Sequence, residues 1–463
     1  MSTSYHVKFW EIRPNKSALK PGKTISYTVR WTVAGREKSK TYEKSAQAKN
    51  WLSDLRQAAK NGEPFDIETG LPLSMIKAKE ARTVLDFARA YVEMKWPHAA
   101  SKSRDSMSDA LSTILPALTK ETPGRPDAKA LRRALRKYAL LPEGKRPAAP
   151  PDMAKAIRWL ESASLDVQDL NETKVIRPAL DALALCLDGT KAGANTVKRK
   201  RAVLHNVLEY AVELEELPSN PLHRVKWSPP KTTETVDPRV VVNPRQAREL
   251  LIAVSYVGKR GRGTRGRGQR LIALFACMYF AALRPAEAVS LRKDDCYLPL
   301  KGWGRLTLDV SRPEVNRQWT DTGDAHEQRG LKHRGETDVR VVPIPPELVK
   351  ILREHIAEFG VGEDGRIFRS ERGGVVASTA YTEVWQEARI LALTPAQAAS
   401  PLVRRPYDLR HAAVSLWLNG GVPAPEVAKR AGHGVDVLLR VYAKCIDGQE
   451  EIVNQRIEDA LAA

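Results

Sequence analysis

Residues 405–442 read RPYDLRHAAVSLWLNGGVPAPEVAKRAGHGVDVLLRVY, and their punctuation decides the fold. Asp408 is a natural N-cap for a first helix, which the Gly420-Gly421 pair ends. Pro423 and Pro425 open a second, Gly432 stops it, and a third runs from about Val435 into Lys444. Leu409, Ala413, Leu416 and Leu418 would seat the first helix in a core. Three polar groups on consecutive helices then stand out: Arg410, His433 and Tyr442. A guanidinium, an imidazole and a phenol together suit the handling of a phosphodiester.

Arg410 lies in an Arg-His pair, His433 follows a glycine, and Tyr442 lies nine positions further on. With Arg284 upstream in ALRPAEAVSL, this order resembles the C-terminal signature of the tyrosine recombinases, the phage-integrase family. The resemblance implies that Arg284 and Arg410 contact the scissile phosphate and that Tyr442 is the nucleophile. His433 joins that set, and Glu287, one helical turn beyond Arg284, supports it. In the family a β-hairpin carries a lysine into the minor groove. Here GLKHRGETDVRVVP matches that hairpin, and Lys332 is its best candidate.

The chemistry asks for these residue types. Attack on a phosphodiester places extra negative charge on the non-bridging oxygens of a pentacoordinate centre. Two arginines bond those oxygens in a fixed fork and stay charged at any working pH. An ammonium such as Lys332 suits protonation of the leaving 5′ oxygen. A phenol has an ordinary pKa of about 10, so neighbouring positive charge must favour its ionised form. The scheme requires no metal and no nucleotide cofactor. One departure is plain. The family usually has a histidine three positions before the second arginine, whereas this chain has Tyr407, giving YDLRH. A phenol donates well to phosphate but is a poor base, so the general base is left open. His411, one position beyond Arg410, could be offered as a substitute, but it points about 100° away on a helix and reads as structural.

The rest of the chain fits a DNA-acting protein. Its 463 residues allow two or three domains, and a net charge of +20 calls for a polyanionic partner. Cys186, Cys277, Cys296 and Cys445 form no metal-binding pattern, which indicates a reducing, cytoplasmic compartment. The amino terminus lacks a signal-peptide core.

Residues 1–75 read as an arm-type DNA-binding domain. Residues 1–60 hold thirteen Lys and Arg against four Asp and Glu. Alternation over 5–12, 25–33 and 37–42 predicts three strands, followed by a helix over 45–61. Residues 76–230 read as a helical, SAM-like core-binding domain with an irregular insertion over 121–151. Its last helix carries Lys198, Lys200 and Arg201 on a face suited to phosphates. Residues 231–463 form a mixed α/β catalytic domain. There KRGRGTRGRGQR (259–270) offers Arg262, Arg265 and Arg267 for close backbone contact, because glycines let arginines approach phosphates. The fold class is therefore mainly α with small β-sheets.

The activity implied is site-specific recombination through a 3′-phosphotyrosyl intermediate, as in the integrase of a phage or other mobile element. Its partners would be double-stranded attachment sites, further copies of the chain in a synaptic tetramer, and accessory DNA-bending or directionality factors. A terminal amphipathic helix with Ile452, Val453, Ile457 and Leu461 would dock on a neighbouring copy. A resolvase or relaxing enzyme of the same chemistry, and a non-catalytic DNA-binding regulator, are the alternatives.

Overall fold

The computed structural model describes residues 2–16, 24–80, 82–232, 235–258, 266–331, 339–446 and 450–462. The chain forms two compact units. One comprises Met1–Lys95, Ser108–Gly193 and Arg199–Ser228; the other comprises Trp96–Met107, Ala194–Lys198 and Pro229–Ala463. Both are mainly helical with small antiparallel sheets. Among the described residues, no helix is long and apolar enough to cross a membrane.

In the first unit, the long strand Thr24–Val33 pairs with Arg36–Tyr42 on one edge. Ala34 and Gly35, both at positive φ, make the tight turn that the strand twist requires. The other edge departs from the sequence expectation. Instead of one strand over 5–12 there are two, Val7–Phe9 and Arg13–Lys16, on the same edge of the central strand. Helix Ser45–Lys60 covers one face through Ala48, Leu52, Leu55 and Ala58, which pack with Val29, Trp31, Val33 and Phe65. The opposite face carries Lys8 beside Thr32, Arg13 beside Thr28, and Arg30 beside Ser39.

The helices that follow are Val84–Lys95, Ser101–Ile114, Pro151–Ala163, Thr173–Leu183 and Ala194–Glu213. The stretch read as irregular over 121–151 is partly helical. Ala128–Ala134 is capped by the Asp127 carboxylate and continues as a π-turn over Leu135–Ala139, with Leu131, Ala134 and Leu135 buried. Leucine and alanine spacing outweighed the flanking prolines there.

Lys200 is also placed differently from its sequence reading. It is 8% exposed, and its Nζ donates to Thr113 Oγ1 at 2.8 Å and lies 3.7 Å from Asp109 Oδ2. Asp109 also pairs with Arg132 and, at 2.9 Å, with Arg199. Burial alone would raise the Asp109 carboxyl, but bonds from Arg132 and Arg199 bring it down to about 2. Lys200 is therefore an internal cation rather than a phosphate contact. Helical period placed it beside Lys198 and Arg201 in sequence but could not show the acid waiting beneath it.

In the second unit, Ile272–Phe280 runs through the core with every residue from Ala273 to Tyr279 buried. Pro244–Val254, Pro346–Phe359, Ser378–Ala392 and Asp408–Asn419 contribute to the same core, where Phe275 meets Trp385 at 4.8 Å. A three-stranded sheet has Gly304–Leu308 in its centre, flanked by Arg340–Ile344 and Cys296–Tyr297. Its outermost long strand delivers Arg340 inward.

Asp109 generates the first prediction. Asp109→Asn leaves Lys200, Arg132 and Arg199 facing one another without their shared anion, so unfolding free energy should drop by about 3 kcal/mol. Denaturant titration measures it; a loss below about 0.5 kcal/mol would show the cluster to be solvent-screened.

Candidate active site

Helix Ala424–Ala431 ends at Gly432 in the left-handed conformation, with φ of 67°. A side chain there would be strained and would also run into the Arg340 guanidinium, so glycine is needed on two counts. The His433 N–H returns to the Ala428 carbonyl at 3.0 Å, which places the imidazole directly beyond the helix end. Helix Val435–Tyr442 then buries Leu438 and Tyr442 one turn apart. Pro285–Ala288 is a single turn whose N-cap is Arg284.

The site is built around a buried carboxylate. Glu287 is 2% exposed and accepts from Arg340 at 2.7 and 3.1 Å and from Arg284 Nη1 at 2.8 Å. It also accepts the Arg284 backbone N–H at 2.8 Å. Burial would raise its pKa, but Arg340, Arg410 and Arg284 bring it down to about 2. Arg284 Nη2 donates to the Gly432 carbonyl at 2.9 Å.

Arg410 is 1% exposed, and it donates to the carbonyls of Ala282 and Ala431 and, at 2.7 Å, to His433 Nε2. Ala282 holds a positive φ of 50°, a strained conformation for a residue with a Cβ, at the point where its carbonyl meets Arg410. The two arginines thus bond consecutive carbonyls, Ala431 and Gly432. Burial, and then the nearby Arg284 charge, lower Arg410 to about 10, so it remains charged at neutral pH.

The remaining groups are neutral. His433 uses Nε2 as acceptor, and burial followed by the Arg410 charge takes it down to about 3. Tyr442 has no exposed surface, and burial raises its phenol above the ordinary value despite Arg410. Its hydroxyl lies 2.9 Å from His411 Nδ1. His411 therefore does not face away from the site, as its helical position implied. Tyr442 comes to His411, because helix Val435–Tyr442 packs where Asp408–Asn419 presents its flank. Burial holds His411 at about 4. The Tyr407 ring stands 5.1 Å from the His411 ring.

Of the residues singled out in sequence, Arg284, Glu287, Tyr407, Arg410, His433 and Tyr442 come together. Lys332, Arg262 and Arg265 lie outside the described residues. Arg267 is half-buried, donates to Glu383 at 3.1 Å, and lines a cleft of about 360 Å³ with Arg270, Arg369 and Arg372. Arg201 stacks on Trp227 at 4.4 Å, and Lys198 is exposed with its Nζ on Thr232 at 2.7 Å. One member of the site went unread, Arg340, which VRVVPIP presents as an ordinary strand residue, and His411, read as structural, proves to touch the Tyr442 hydroxyl. An arginine in an otherwise apolar strand was the only available sign of the first. In the first unit, His205, Glu209 and His223 offer ligand atoms within 4.8 Å of one another, the one such trio among the described residues. The Glu209 carboxylate there also accepts from Asn220 at 2.6 Å.

The second unit thus brings together Arg284 from a helical turn, Arg410 from a helix, His433 from just beyond a helix end and Tyr442 from the helix that follows. No family model matches the chain. It is similar to a curated protein of Caldanaerobacter subterraneus subsp. tengcongensis described as tyrosine recombinase XerC-like. The two are 21% identical over 213 residues, which is 42% of this chain and 50% of that protein. The chain thus matches about half the length of that relative. Among solved structures, it is similar to the Tn1549 transposon integrase in complex with circular intermediate DNA (13% identity, 67% of this chain and 94% of that one, TM-score 0.47). It is also similar to a lambda integrase tetramer bound to a Holliday junction (13% identity, 89% and 93% covered, TM-score 0.44).

The buried charges predict a two-stage acid response. His411 and His433 have folded values depressed to about 4 and 3 from 6.5, so the unfolded chain takes up their protons first. Stability should be flat above about pH 6.5 and fall as pH drops toward 4. Glu287, lowered from 4.5 to about 2, adds a second loss below pH 4.5. His433→Asn should make the upper stage shallower, leaving the His411 part, in denaturation midpoints measured across pH. Glu287→Ala, which leaves Arg340 buried and unpaired, should cost about 3–5 kcal/mol at pH 7; an unchanged midpoint would show that Arg340 finds another partner.

Proposed function

We propose that this protein is a site-specific DNA recombinase that cuts and rejoins strands through a covalent 3′-phosphotyrosyl bond at Tyr442. The observation that carries this reading is the gathering of Arg284, Arg410, His433 and Tyr442 in one site, where Arg410 bonds His433 at 2.7 Å and the His433 and Tyr442 rings stand 6.1 Å apart. Two guanidiniums anchored on the Ala431 and Gly432 carbonyls are a pre-set receptor for a phosphate carrying growing negative charge. Glu287, itself held by Arg340, fixes Arg284 in place, and the Tyr407 side chain is also bonded to Arg284. The Tyr442 hydroxyl is enclosed and protonated in this state, so attack requires that it be uncovered when DNA arrives.

The remaining assignments belong to the same reading. Residues 1–75 bind arm-type sites through the open face of the sheet, where Lys8, Arg13 and Arg30 are interspersed with Thr28, Thr32, Ser39 and Thr41. Residues 76–230 hold the core site, with Lys198 and Arg201 on phosphates, and residues 231–463 cut it, with Lys332 protonating the leaving oxygen. The chain acts as a tetramer on DNA. Ile457 and Leu461 of the terminal helix Glu450–Ala462 are 53% and 82% exposed, as a stripe that docks on a neighbouring copy would be. A mobile-element integrase is the form of recombinase that such arm and core binding suits.

Incubated with a nicked suicide substrate bearing its core site, the full chain should become trapped through a 3′ phosphate. Tyr442→Phe should abolish trapping with binding nearly unchanged, and Arg410→Ala should bind yet cleave at least ~10²-fold more slowly. An adduct from the Phe variant would remove Tyr442 from the nucleophile's role. Absence of any adduct from the wild type on its cognate site would leave a DNA-binding regulator. For the amino-terminal sheet, the Lys8→Ala/Arg13→Ala/Arg30→Ala variant should bind arm-type DNA with a salt slope lowered by about 3 and leave core cleavage intact. An unchanged slope would move arm binding elsewhere.

A further inference from the structure

His411 Nδ1 lies 2.9 Å from the Tyr442 hydroxyl, and the proposed reaction has no other use for it. We propose that His411 is the general base of strand cleavage, taking the Tyr442 proton on Nδ1, and the general acid that returns it on rejoining. This rests on the reading that Tyr442 attacks a phosphodiester.

Three observations carry it. The distance from Nδ1 to the hydroxyl is 2.9 Å, within reach for direct transfer. With the ring proton on Nε2, Nδ1 is an open acceptor, and a neutral ring is assured because burial keeps His411 at about 4. The competing bases are committed. His433 Nε2 already accepts from Arg410, Glu287 is shared between Arg284 and Arg340, and Tyr407 is itself a phenol. The charged or titratable groups acting on His411 are Asp408, Arg410 and Arg405, and the rings of Tyr407 and Tyr442 stand against its own. The Asp408 carboxylate, one turn before it on the same helix, favours the imidazolium that would form.

The transfer does not require a free phenolate beforehand. As the phenolic oxygen bonds to phosphorus it becomes strongly acidic, and a weak base in contact suffices at that moment. In cleavage, the O–P bond to Tyr442 forms, the P–O5′ bond breaks with its electron pair going to the 5′ oxygen, and the phenol proton passes to His411 Nδ1. The 5′ oxygen takes its proton from a separate acid, the role read for Lys332. In rejoining, the 5′ hydroxyl attacks as its proton returns to the acid that supplied it, the O5′–P bond forms, the P–O bond to Tyr442 breaks, and the departing Tyr442 oxygen recovers its proton from His411.

The test uses full-length protein on the suicide substrate with two replacements at 411. His411→Asn keeps a hydrogen-bonding group near the Nδ1 position but cannot take a proton; His411→Ala removes both functions. Both should form the 3′ adduct about 10²-fold more slowly or worse, with DNA binding unchanged. The defect should persist on a 5′-bridging phosphorothiolate, whose thiolate leaves without a proton. It should shrink when 3,5-difluorotyrosine, a more acidic phenol, replaces Tyr442. Restoration on the phosphorothiolate would instead make His411 the acid for the leaving group. An Asn variant within a few fold of wild type would reduce His411 to a hydrogen-bond partner, and a deficit untouched by the fluorinated phenol would also overturn the proposal. Should the Ala variant misfold, the Asn variant and the fluorotyrosine series decide the matter. A wild type that forms no adduct overturns the recombinase reading, and this inference with it. A wild type that reacts while the Asn variant keeps pace overturns the inference alone.

Discussion

The second unit depends on one buried carboxylate. Glu287 sits 2% exposed between Arg284, from its own helical turn, and Arg340, from a sheet strand 53 residues beyond Glu287. An ionised group this far from water is tolerable only when opposite charge and hydrogen bonds surround it, and each oxygen of Glu287 has both. The consequence is geometric. Wherever the strand carrying Arg340 is fixed, the position of Arg284 is fixed with it, and with Arg284 the neighbouring carbonyl of Gly432. The helix end at Gly432 can close only because glycine leaves room for the Arg340 guanidinium.

From that anchor the polar groups around Tyr442 follow as a layered arrangement of charge. The innermost layer is the ion pair. The next is Arg410, which bonds two carbonyls and His433 and stays charged even though burial weakens its hold on a proton. The outermost consists of the neutral rings of His433, His411 and Tyr442, with the Tyr407 ring against that of His411. Desolvation lowers the imidazoles and raises the phenol for the same reason, since each is denied the water that would support its charged form. A concentrated positive centre enclosed by uncharged, proton-bearing groups has a natural ligand in an anion that brings its own charge. That is the physical content of the phosphodiester reading.

The amino-terminal sheet works on a different principle. One face of Thr24–Val33 is closed by its helix through Val29, Trp31 and Val33, and Trp31 donates its indole N–H to the Gly70 carbonyl at 2.6 Å. The other face has short hydroxyls between longer cations, of which Arg30 is paired with Glu37 at 3.2 Å. Basic residues elsewhere did not all remain on the surface. Lys200 shows how one internal aspartate redirects a cation that sequence spacing alone would leave outside.

Periodicity, glycine and proline punctuation, and residue types were enough to read the three consecutive helices over 405–442, the buried helix before Arg284 and the mainly helical class, while the grouping of Arg284, Glu287, Arg410, His433 and Tyr442 came from the resemblance to the tyrosine recombinases. The helical features are local, or repeat at intervals that helix geometry dictates. The split first strand, the helix within 121–151, the inward turn of Lys200, the partnership of Arg340 with Glu287 and the contact between His411 and Tyr442 were not legible. Each depends on which distant element supplies the opposing group. A helical wheel assigns His411 to a different side from Arg410, which is correct. Only packing decides that the tyrosine of another helix comes to rest against that side, because side-chain direction is set by local backbone geometry while side-chain partners are set by the burial of whole faces.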